Sequence, residues 1–311
     1  LGEAAVSQYL SLDNVRSGMF YLANRLYGIT FRPISAPKYH PECSVYEVLD
    51  VDDSHLGVLY IDPHPRKSKS GGAWCGYFTE QRYEDGKRVA PVVGIVCNFT
   101  PPVGDTPSLL SFDEAETMFH EFGHALHFLF ADVRYRGLAE VEGDFVELPS
   151  QIMENWAFEP EIMKVYATHH STGDVIPDNL IEKIQKASLF NQGFITTELA
   201  AAALIDMDIH TLEKWSDMDI NDFEKYNLAT RRGLIPQIEP RYRYTYFSHI
   251  FNGGYSSGYY FYLWAEVLDK DAFELFMQKG IFDKETAMSF RRNVLEMGGS
   301  DEPMDLYRRF R

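Results

Sequence analysis

The sequence predicts a mainly α-helical protein with a small β-sheet insertion, and three observations lead to this fold class. Apolar side chains recur at helical spacing from Val6 to Tyr27. Short apolar runs separated by polar turns follow over about residues 30–105, which is typical of β-strands. From about residue 106 the helical pattern returns and continues almost to the end of the 311-residue chain. This length is enough to bury a sizeable core.

The first helical segment is predicted to end at Gly28. Its apolar side chains, from Leu10 to Leu26, recur at the spacing of a helix face. Glycine tolerates the left-handed backbone conformation that commonly ends a helix, so Gly28 is a suitable C-cap.

The β-rich subregion begins with a predicted hairpin. Val45–Leu49 and Leu56–Ile61 are apolar runs on either side of a polar Asp-Ser turn. Ala73–Thr79 and Val92–Asn98 are two further strand candidates. We therefore expect an insertion of three to five strands.

The helical region opens with a sequence typical of a capping box. Ser111 is followed three residues later by Glu114, and these side chains can satisfy each other's backbone amides. We expect this helix to run to about Ala131. Further helices are predicted over residues 150–170, 177–203, 206–216, 220–233, 256–279 and 284–296.

Charge and cysteine content exclude several classes of function. The formal net charge is −17, which disfavours nucleic acid and anionic membranes as partners. The sequence has no apolar run long enough to span a bilayer. Its three cysteines, Cys43, Cys75 and Cys97, form neither a disulfide framework nor a CxxC metal site. A reducing compartment such as the cytoplasm fits this pattern.

His120, Glu121 and His124 form the pattern HExxH. Two histidines four residues apart lie on one helix face, roughly 6 Å apart along the axis, so both can bind one metal ion. Glu121 lies beside them and can act as a general base. The alternative is a helix with two unrelated surface histidines. The apolar neighbours argue against it, because they predict a buried helix: Met118, Phe119, Phe122, Ala125, Leu126, Leu129 and Phe130.

A catalytic zinc site needs a third protein ligand from another element. Glu147 is a candidate, since Pro149 soon after it fits the first turn of a following helix. Spacing alone leaves four competing carboxylates open: Glu140, Glu142, Asp144 and Glu154.

Five segments of the chain resemble the thimet oligopeptidase family of zinc peptidases, and most closely its peptidyl-dipeptidase branch, the bacterial dipeptidyl carboxypeptidases. They read FHEFGHALH (119–127), DFVELPSQIMENW (144–156), SKSGGAW (68–74), VCNFTPP (96–102) and HIFNGGYSSGYYFYLWAE (249–266). The resemblance implies a zincin-like helical metallopeptidase domain with one Zn²⁺ ion per chain. It also implies that Glu147 is the third ligand, which leaves His127 as a non-ligand.

The resemblance further implies catalytic roles within residues 249–266, which we call the tyrosine segment. His249, Tyr255 and Tyr262 would stabilise the tetrahedral intermediate, and Tyr259 would face the substrate. A phenol is a suitable neutral donor to a developing oxyanion. Without the resemblance, packing would be the simpler interpretation of any one of the 19 tyrosines.

Other residues are predicted to support the site. Gly72 and Ala73 are candidates for binding an extended substrate backbone, although a glycine turn leading into a strand explains them equally well. Carboxylates hydrogen-bonded to the metal ligands should orient them, and the candidates are Glu116, Asp144 and Glu154.

These interpretations together predict a zinc metallopeptidase that hydrolyses short, unfolded peptides, releasing dipeptides from the C-terminus. An endo-acting oligopeptidase is the alternative enzyme, and a non-catalytic zinc-containing peptide-binding domain is the alternative of another class. Release of dipeptides requires a group that captures the free carboxylate, for which Arg241 and Arg243 are candidates. We expect the chain to be the C-terminal catalytic part of a longer peptidase. The N-terminal half, which this sequence does not contain, is then its expected partner.

Overall fold

The computed structural model describes residues 2–215 and 217–311. The α-helices are α1 Glu3–Ser7, α2 Leu12–Tyr27, α3 Phe112–Phe130, α4 Leu148–Ala157, α5 Pro160–Tyr166, α6 Asp178–Ala187, α7 Gln192–His210, α8 Ile220–Lys225, α9 Ser248–Phe251, α10 Phe261–Lys279, α11 Lys284–Phe290 and α12 Pro303–Phe310. Two π-helical turns, Tyr226–Thr230 and Arg291–Leu295, continue α8 and α11. A short 3₁₀ turn covers Tyr244–Tyr246. The predicted combination of many helices with a small sheet is confirmed.

The strands form a mixed sheet and a separate hairpin. Their bounds are β1 Thr30–Pro33, β2 Ser44–Leu49, β3 His55–Asp62, β4 Trp74–Thr79, β5 Arg82–Glu84, β6 Lys87–Val89 and β7 Val92–Val96. The sheet order is β1-β2-β3-β7-β4, with β3 and β7 parallel and the other pairs antiparallel. The predicted β2–β3 hairpin is present, whereas the β5–β6 hairpin was not predicted, because three-residue strands are too short to show a period.

The sheet packs on α3. Leu59, Ile61, Val93 and Ile95 are almost completely buried on the two central strands and belong to the same core as the apolar face of α3. β4 lies at the edge of the sheet and contacts α3. This arrangement places an edge strand beside the HExxH helix.

The N-terminal helix is interrupted, which corrects the prediction of one continuous segment. Gln8 to Ser11 separate α1 from α2, because the Ser11 side chain accepts a hydrogen bond from the Asn14 amide at 3.2 Å and caps a new helix. The predicted C-cap is confirmed: Gly28 has φ +73° and its N–H donates to the Asn24 carbonyl.

Gly123 allows α3 and α4 to pack closely. A Cβ atom at this position would lie 2.1 Å from the Pro149 carbonyl oxygen and 2.6 Å from the Ser150 Cα atom. Only glycine leaves room for this approach. The contact brings Glu147, which precedes α4, to the HExxH face of α3.

The remaining helix bounds differ locally from the prediction. The predicted 150–170 helix is divided at Phe158–Glu159, where Pro160 begins α5, and α7 runs through the predicted gap at 204–205. The predicted helix over 256–279 begins only at Phe261, and α12 was not predicted. Among the described residues, no helix combines the length and apolar character that crossing a membrane requires.

Candidate metal centre

His120, His124 and Glu147 converge at one point. The two histidine rings lie one turn apart on α3, with centroids 5.1 Å apart. The Glu147 Oε2 atom is 3.2 Å from the Nε2 atom of each histidine. One ligand atom from each residue lies within 4.8 Å of the others. The structure therefore brings together the three residues that were predicted to bind the metal.

The donor set fits a metal ion. Two imidazoles and a carboxylate form a common catalytic zinc site, and ligands of a tetrahedral zinc ion, at about 2.0–2.1 Å from it, lie roughly 3.3 Å from one another. The 3.2 Å separations match this spacing. Glu147 is 1% exposed, so its charge needs nearby compensation. A cation bound between the three side chains would supply it.

Two hydroxyl groups hold Glu147 in place. The Ser150 hydroxyl donates to Oε2 at 2.7 Å, and the Tyr255 hydroxyl donates to Oε1 at 2.5 Å. Burial raises the pKa of Glu147, but the two histidines lower it well below its usual range. Glu147 is therefore held as a carboxylate. Sequence analysis missed Ser150, whose only signal was its position in the first turn of the helix that follows Glu147.

Glu154 orients His120. Its Oε1 atom is 2.5 Å from His120 Nδ1, on the side of the ring away from Glu147. Burial opposes a charge on His120, yet Glu147 and Glu154 raise its pKa well above its usual range. Of the three predicted supporting carboxylates, Glu154 is the one that makes this contact. Among the described residues, Glu116 and Asp144 form no hydrogen bond with the metal-site side chains.

Glu121 lies beside the two histidines with a free carboxylate oxygen. It is 5% exposed, and within the described part of the chain its Oε2 atom has no hydrogen-bond partner. Burial raises its pKa, while the neighbouring His120 and His124 lower it. Buried polar atoms are rarely unpaired, so this oxygen is suited to a small polar ligand such as water.

His127 lies outside the group, as predicted. It is buried, its Nε2 atom has no partner among the described residues, and burial lowers its pKa to about 3. It is therefore a neutral imidazole in the core.

The tyrosine segment reaches the metal ligands through Tyr255. The Tyr255 and Tyr262 rings are stacked, with centroids 5.6 Å apart, and the His249 ring lies 6.0 Å from Tyr255 and 6.3 Å from Tyr262. Burial raises the pKa of both phenols, so they remain neutral donors. The three residues of the tyrosine segment that were predicted to be catalytic thus lie together beside Glu147.

Tyr259 lies deeper in the protein than a surface substrate contact would. It is 4% exposed and packs edge-on against Phe247 at 4.7 Å and Tyr262 at 5.2 Å. In this structure its ring has a packing position, and its predicted contact with substrate stays a prediction.

Asp206 on α7 fixes the backbone of the tyrosine segment. This carboxylate is completely buried and accepts hydrogen bonds from the Ser257 amide at 3.0 Å and the Tyr259 amide at 2.9 Å. Its Oδ1 atom is also 2.7 Å from His210 Nδ1. Ser257 has φ +57°, a backbone conformation that residues with side chains rarely adopt. The hydrogen bonds from its own amide and from the Tyr259 amide to Asp206 help to hold this conformation. Sequence analysis missed Asp206 because its partners lie about fifty residues away.

The loop before β4 is clamped by the side chains of Asn98 and Lys69. The Asn98 side chain donates to the carbonyl oxygens of Ser70 and Gly72, both at 2.7 Å. The Lys69 ammonium donates to the carbonyls of His64 and Cys97 and forms an ion pair with Asp62 at 2.8 Å. This clamp places Gly72 at the entrance to the edge strand.

The predicted backbone-binding residues therefore lie before the strand rather than within it. Gly72 has φ +83° and precedes β4, and Ala73 is partly buried against the core. Strand β4 contacts α3, which carries the two histidines. Burial and, after it, the Glu121 carboxylate raise the pKa of the Cys75 thiol on this strand.

Comparison with known proteins places the chain among peptidases. The sequence profile described as "Peptidase family M3" matches residues 1–311. Dipeptidyl carboxypeptidase of Escherichia coli (strain K12) is 43% identical over 316 residues, which cover 100% of this chain and 46% of that protein. Oligopeptidase A of the same organism is 38% identical over 319 residues, with the same coverage. The chain thus spans about half the length of these curated relatives.

Two solved structures share the fold at low sequence identity. "PZ peptidase A with inhibitor 2" has a TM-score of 0.51 and 17% identity, covering 80% of this chain and 39% of that one. A "putative Oligoendopeptidase F" has a TM-score of 0.53 with the same identity and coverage. The sequence relatives confirm the resemblance predicted from the five segments.

Proposed function

The chain belongs to peptidase family M3, and from this premise we propose that it is the catalytic part of a zinc metallopeptidase that hydrolyses short, unfolded peptides. One observation carries the proposal. His120, His124 and Glu147 converge within 4.8 Å, and the unpaired Glu121 carboxylate lies beside them. The metallopeptidase relationship follows from the family, whereas the choice of zinc, with one ion per chain, rests on this donor set.

His120, His124 and Glu147 would hold the ion, with Ser150, Tyr255 and Glu154 fixing their orientation. When bound, the ion would act as a Lewis acid, polarising the scissile carbonyl and lowering the pKa of water. The HExxH helix α3 beside the edge strand β4 supports a zincin-like arrangement for this fold.

Glu121 is proposed as the general base. Its free Oε2 atom can accept a proton from the attacking water and return it to the leaving amine. Burial raises its pKa, which makes the carboxylate a better proton acceptor than an exposed one.

Tyr255, Tyr262 and His249 are proposed to stabilise the oxyanion. The phenols lie beside Glu147, and burial keeps them protonated, so each can donate a hydrogen bond to the developing negative charge. Tyr255 would exchange its present partner, Glu147 Oε1, for the substrate oxygen. His249 Nδ1, buried and without a partner in the described residues, can contribute a further hydrogen bond.

An extended peptide is proposed to lie along β4. This strand pairs with β7 on one side and ends the sheet on the other, so its outer edge can pair with a substrate backbone. Gly72 and Ala73 would meet the substrate where the strand begins. Pairing through the backbone favours unfolded peptides and leaves specificity to other contacts.

The chain is also proposed to be the C-terminal catalytic part of a longer peptidase. Its relatives are about twice as long, and large apolar side chains are exposed around the start of α7: Leu189, Phe190, Phe194 and Ile195. Exposed apolar groups of this kind are typical of an interface. The remaining half of the protein is the proposed partner.

Product analysis tests the proposed function. The full-length protein containing this chain is incubated with matched peptides that have free or amidated C-termini, with and without a chelator, and the products are identified by mass spectrometry. Chelator-sensitive release of dipeptides from free C-termini alone supports a peptidyl-dipeptidase.

Chelator-sensitive cleavage of both peptide sets would instead support an oligopeptidase, the activity that the name of the 38% identical relative indicates. Absence of chelator-sensitive cleavage from both sets would contradict the proposal and favour a non-catalytic peptide-binding domain.

A further inference from the structure

Gln151 joins the helix that follows Glu147 to the tyrosine segment. Its Nε2 atom donates a hydrogen bond to the Tyr262 carbonyl oxygen at 3.2 Å. Gln151 is on α4 and Tyr262 is in the first turn of α10, and these two helices pack against each other. The bond therefore connects the metal side of the site to one of the phenols that are proposed to stabilise the oxyanion.

Gln151 lies on the side of α4 that faces the metal centre. Positions i, i+4 and i+7 share one side of a helix, so Gln151 lies between Glu147, which directly precedes α4, and Glu154. Glu147 Oε2 is 3.2 Å from both metal-binding histidines, and Glu154 Oε1 is 2.5 Å from His120 Nδ1. The backbone N–H of Gln151 also donates to the Glu147 carbonyl at 2.9 Å. The side chain of Gln151 thus starts from backbone that the metal-site contacts hold on both sides.

Tyr262 is held at two points. Gln151 holds its backbone, and its ring stacks on Tyr255 with an interplanar angle of 5° and centroids 5.6 Å apart. The Tyr255 hydroxyl in turn donates to Glu147 Oε1 at 2.5 Å. The contacts form a closed circuit from Glu147 through Gln151 and Tyr262 to Tyr255 and back to Glu147. Movement of the Tyr262 phenol relative to the metal ligand is thereby restricted.

The side-chain amide of Gln151 has a defined orientation. A carbonyl oxygen can only accept, so the NH₂ group must face Tyr262, and the reversed amide would bring two oxygens together. The Oε1 atom of Gln151 is buried and has no hydrogen-bond partner among the described residues. The donor is therefore the half of this side chain that contacts the tyrosine segment.

Accepting the proposed function, we propose that Gln151 is a positioning residue, which places the Tyr262 phenol relative to the metal ion by anchoring the first turn of α10. The phenol lies at the end of a long side chain, so a small rotation of that turn displaces its hydroxyl. A displacement of about 1 Å can lower the rate by about a hundredfold. Asp206 holds the loop before α10, and Gln151 holds the helix itself.

Two substitutions in the full-length protein test the donor of Gln151. Gln151→Met has a similar length and removes both polar atoms, whereas Gln151→Glu keeps an acceptor and removes the donor. We expect kcat for a peptide substrate to fall by about tenfold or more in both variants. KM should change by less than about twofold and zinc content should be unchanged, because the interaction is lost only when the oxyanion forms. Wild-type kcat in Gln151→Glu would contradict the role of the donor.

A double-mutant cycle with Tyr262→Phe distinguishes positioning from general damage. If Gln151 acts through the Tyr262 hydroxyl, Gln151→Met should lower kcat by less than about twofold once that hydroxyl is absent. A merely structural loss would instead multiply the loss from Tyr262→Phe.

Asn155→Leu is the matched control. Asn155 lies one turn further along α4 and also joins this helix to α10, since its Nδ2 atom donates to Asp269 Oδ1 at 2.9 Å. In the described structure it makes no hydrogen bond to Tyr262. We expect its kcat to stay within about twofold of the wild-type value.

Three results would overturn the inference: unchanged kcat in Gln151→Met, equal losses in Gln151→Met and Asn155→Leu, or multiplied losses in the cycle. Wild-type kcat in Tyr262→Phe would remove the proposed role of that phenol and the inference with it. A wild type without chelator-sensitive hydrolysis would contradict the proposed function itself, so each failure has its own kinetic pattern.

Discussion

The metal centre and the tyrosine segment lie side by side, but different kinds of interaction hold them. Two metal ligands come from α3 and the third directly precedes α4, and Gly123 permits the contact between these helices. The tyrosine segment includes a loop whose backbone is held by Asp206 from the distant helix α7. Local spacing and helix packing thus determine the first region, whereas a buried charge far away in the sequence determines the second.

The difference indicates separate roles for the two supports. Disturbing the packing of α3 on α4 should affect metal binding and stability together. Disturbing Asp206 should affect catalysis while the metal ligands remain in place.

The largest effect on stability is expected from Gly123→Ala. The new Cβ atom would lie 2.1 Å from the Pro149 carbonyl oxygen, so α3 and α4 would have to separate. We expect a loss of roughly 2–4 kcal/mol in the free energy of unfolding, together with weaker zinc binding. Denaturant unfolding and zinc titration measure both.

Gly193→Ala is the control for this variant. It lies in α7, and a Cβ atom there would meet nothing within 4 Å. We expect little change or slight stabilisation. Normal zinc affinity in Gly123→Ala would contradict the role assigned to the helix contact.

Asp206→Asn should separate catalysis from metal binding. An amide oxygen can replace one carboxylate oxygen, but the amide nitrogen would then face a backbone N–H of Ser257 or Tyr259. We expect kcat to fall by roughly 10- to 100-fold through displaced tyrosines, with zinc affinity unchanged. Kinetics and metal analysis of one preparation provide the test.

Asp208→Asn, on the same helix, is the matched control. Asp208 pairs with Arg232 at 2.5 Å, and among the described hydrogen bonds it makes none with the tyrosine segment. Its kcat should be unchanged. Equal losses of kcat in the two variants would attribute the effect to general damage to α7.

Glu154→Gln tests whether the contact of Glu154 with His120 supports metal binding. Glu154 fixes the His120 ring from the side opposite Glu147, and removal of such a supporting carboxylate typically weakens metal affinity by about 10- to 100-fold. Competition with a chelating dye measures the affinity. Glu116→Gln is the comparison, since Glu116 makes no hydrogen bond to His120 in the described structure, and we expect at most about a twofold change. The reverse order of effects would contradict the assignment.

The smaller of the two effects on stability concerns the clamp before β4 and depends on pH. Burial of Asp62 raises its pKa, but hydrogen bonds from Arg66, Lys69 and Tyr39 lower it to about 2. This folded-state pKa lies below the unfolded value near 3.9. Asp62 therefore adds roughly 2 kcal/mol to the free energy of unfolding above about pH 4. That contribution is lost as the pH falls through about 2. In denaturant unfolding, the free energy of unfolding should be lower for Asp62→Asn than for the wild type at pH 7, and this difference should shrink towards pH 2. A difference that does not change with pH would contradict this origin.

The sequence predicted the metal centre better than its support. HExxH places both histidines on one face, and the family resemblance selected Glu147 from five carboxylates that spacing alone allowed. Ser150, Asp206 and the helix breaks were missed, because each depends on a tertiary contact or a cap that periodicity does not show. The two strands of three residues were missed because they are too short to show a period.

The central claim is that Glu121 acts as the base beside an intact metal centre. Zinc content and peptide hydrolysis of Glu121→Gln, measured on the same full-length preparation, test it most directly. We expect one zinc ion per chain, as in the wild type, with kcat lowered by about a thousandfold or more. Substantial hydrolysis by a zinc-loaded variant would contradict the claim.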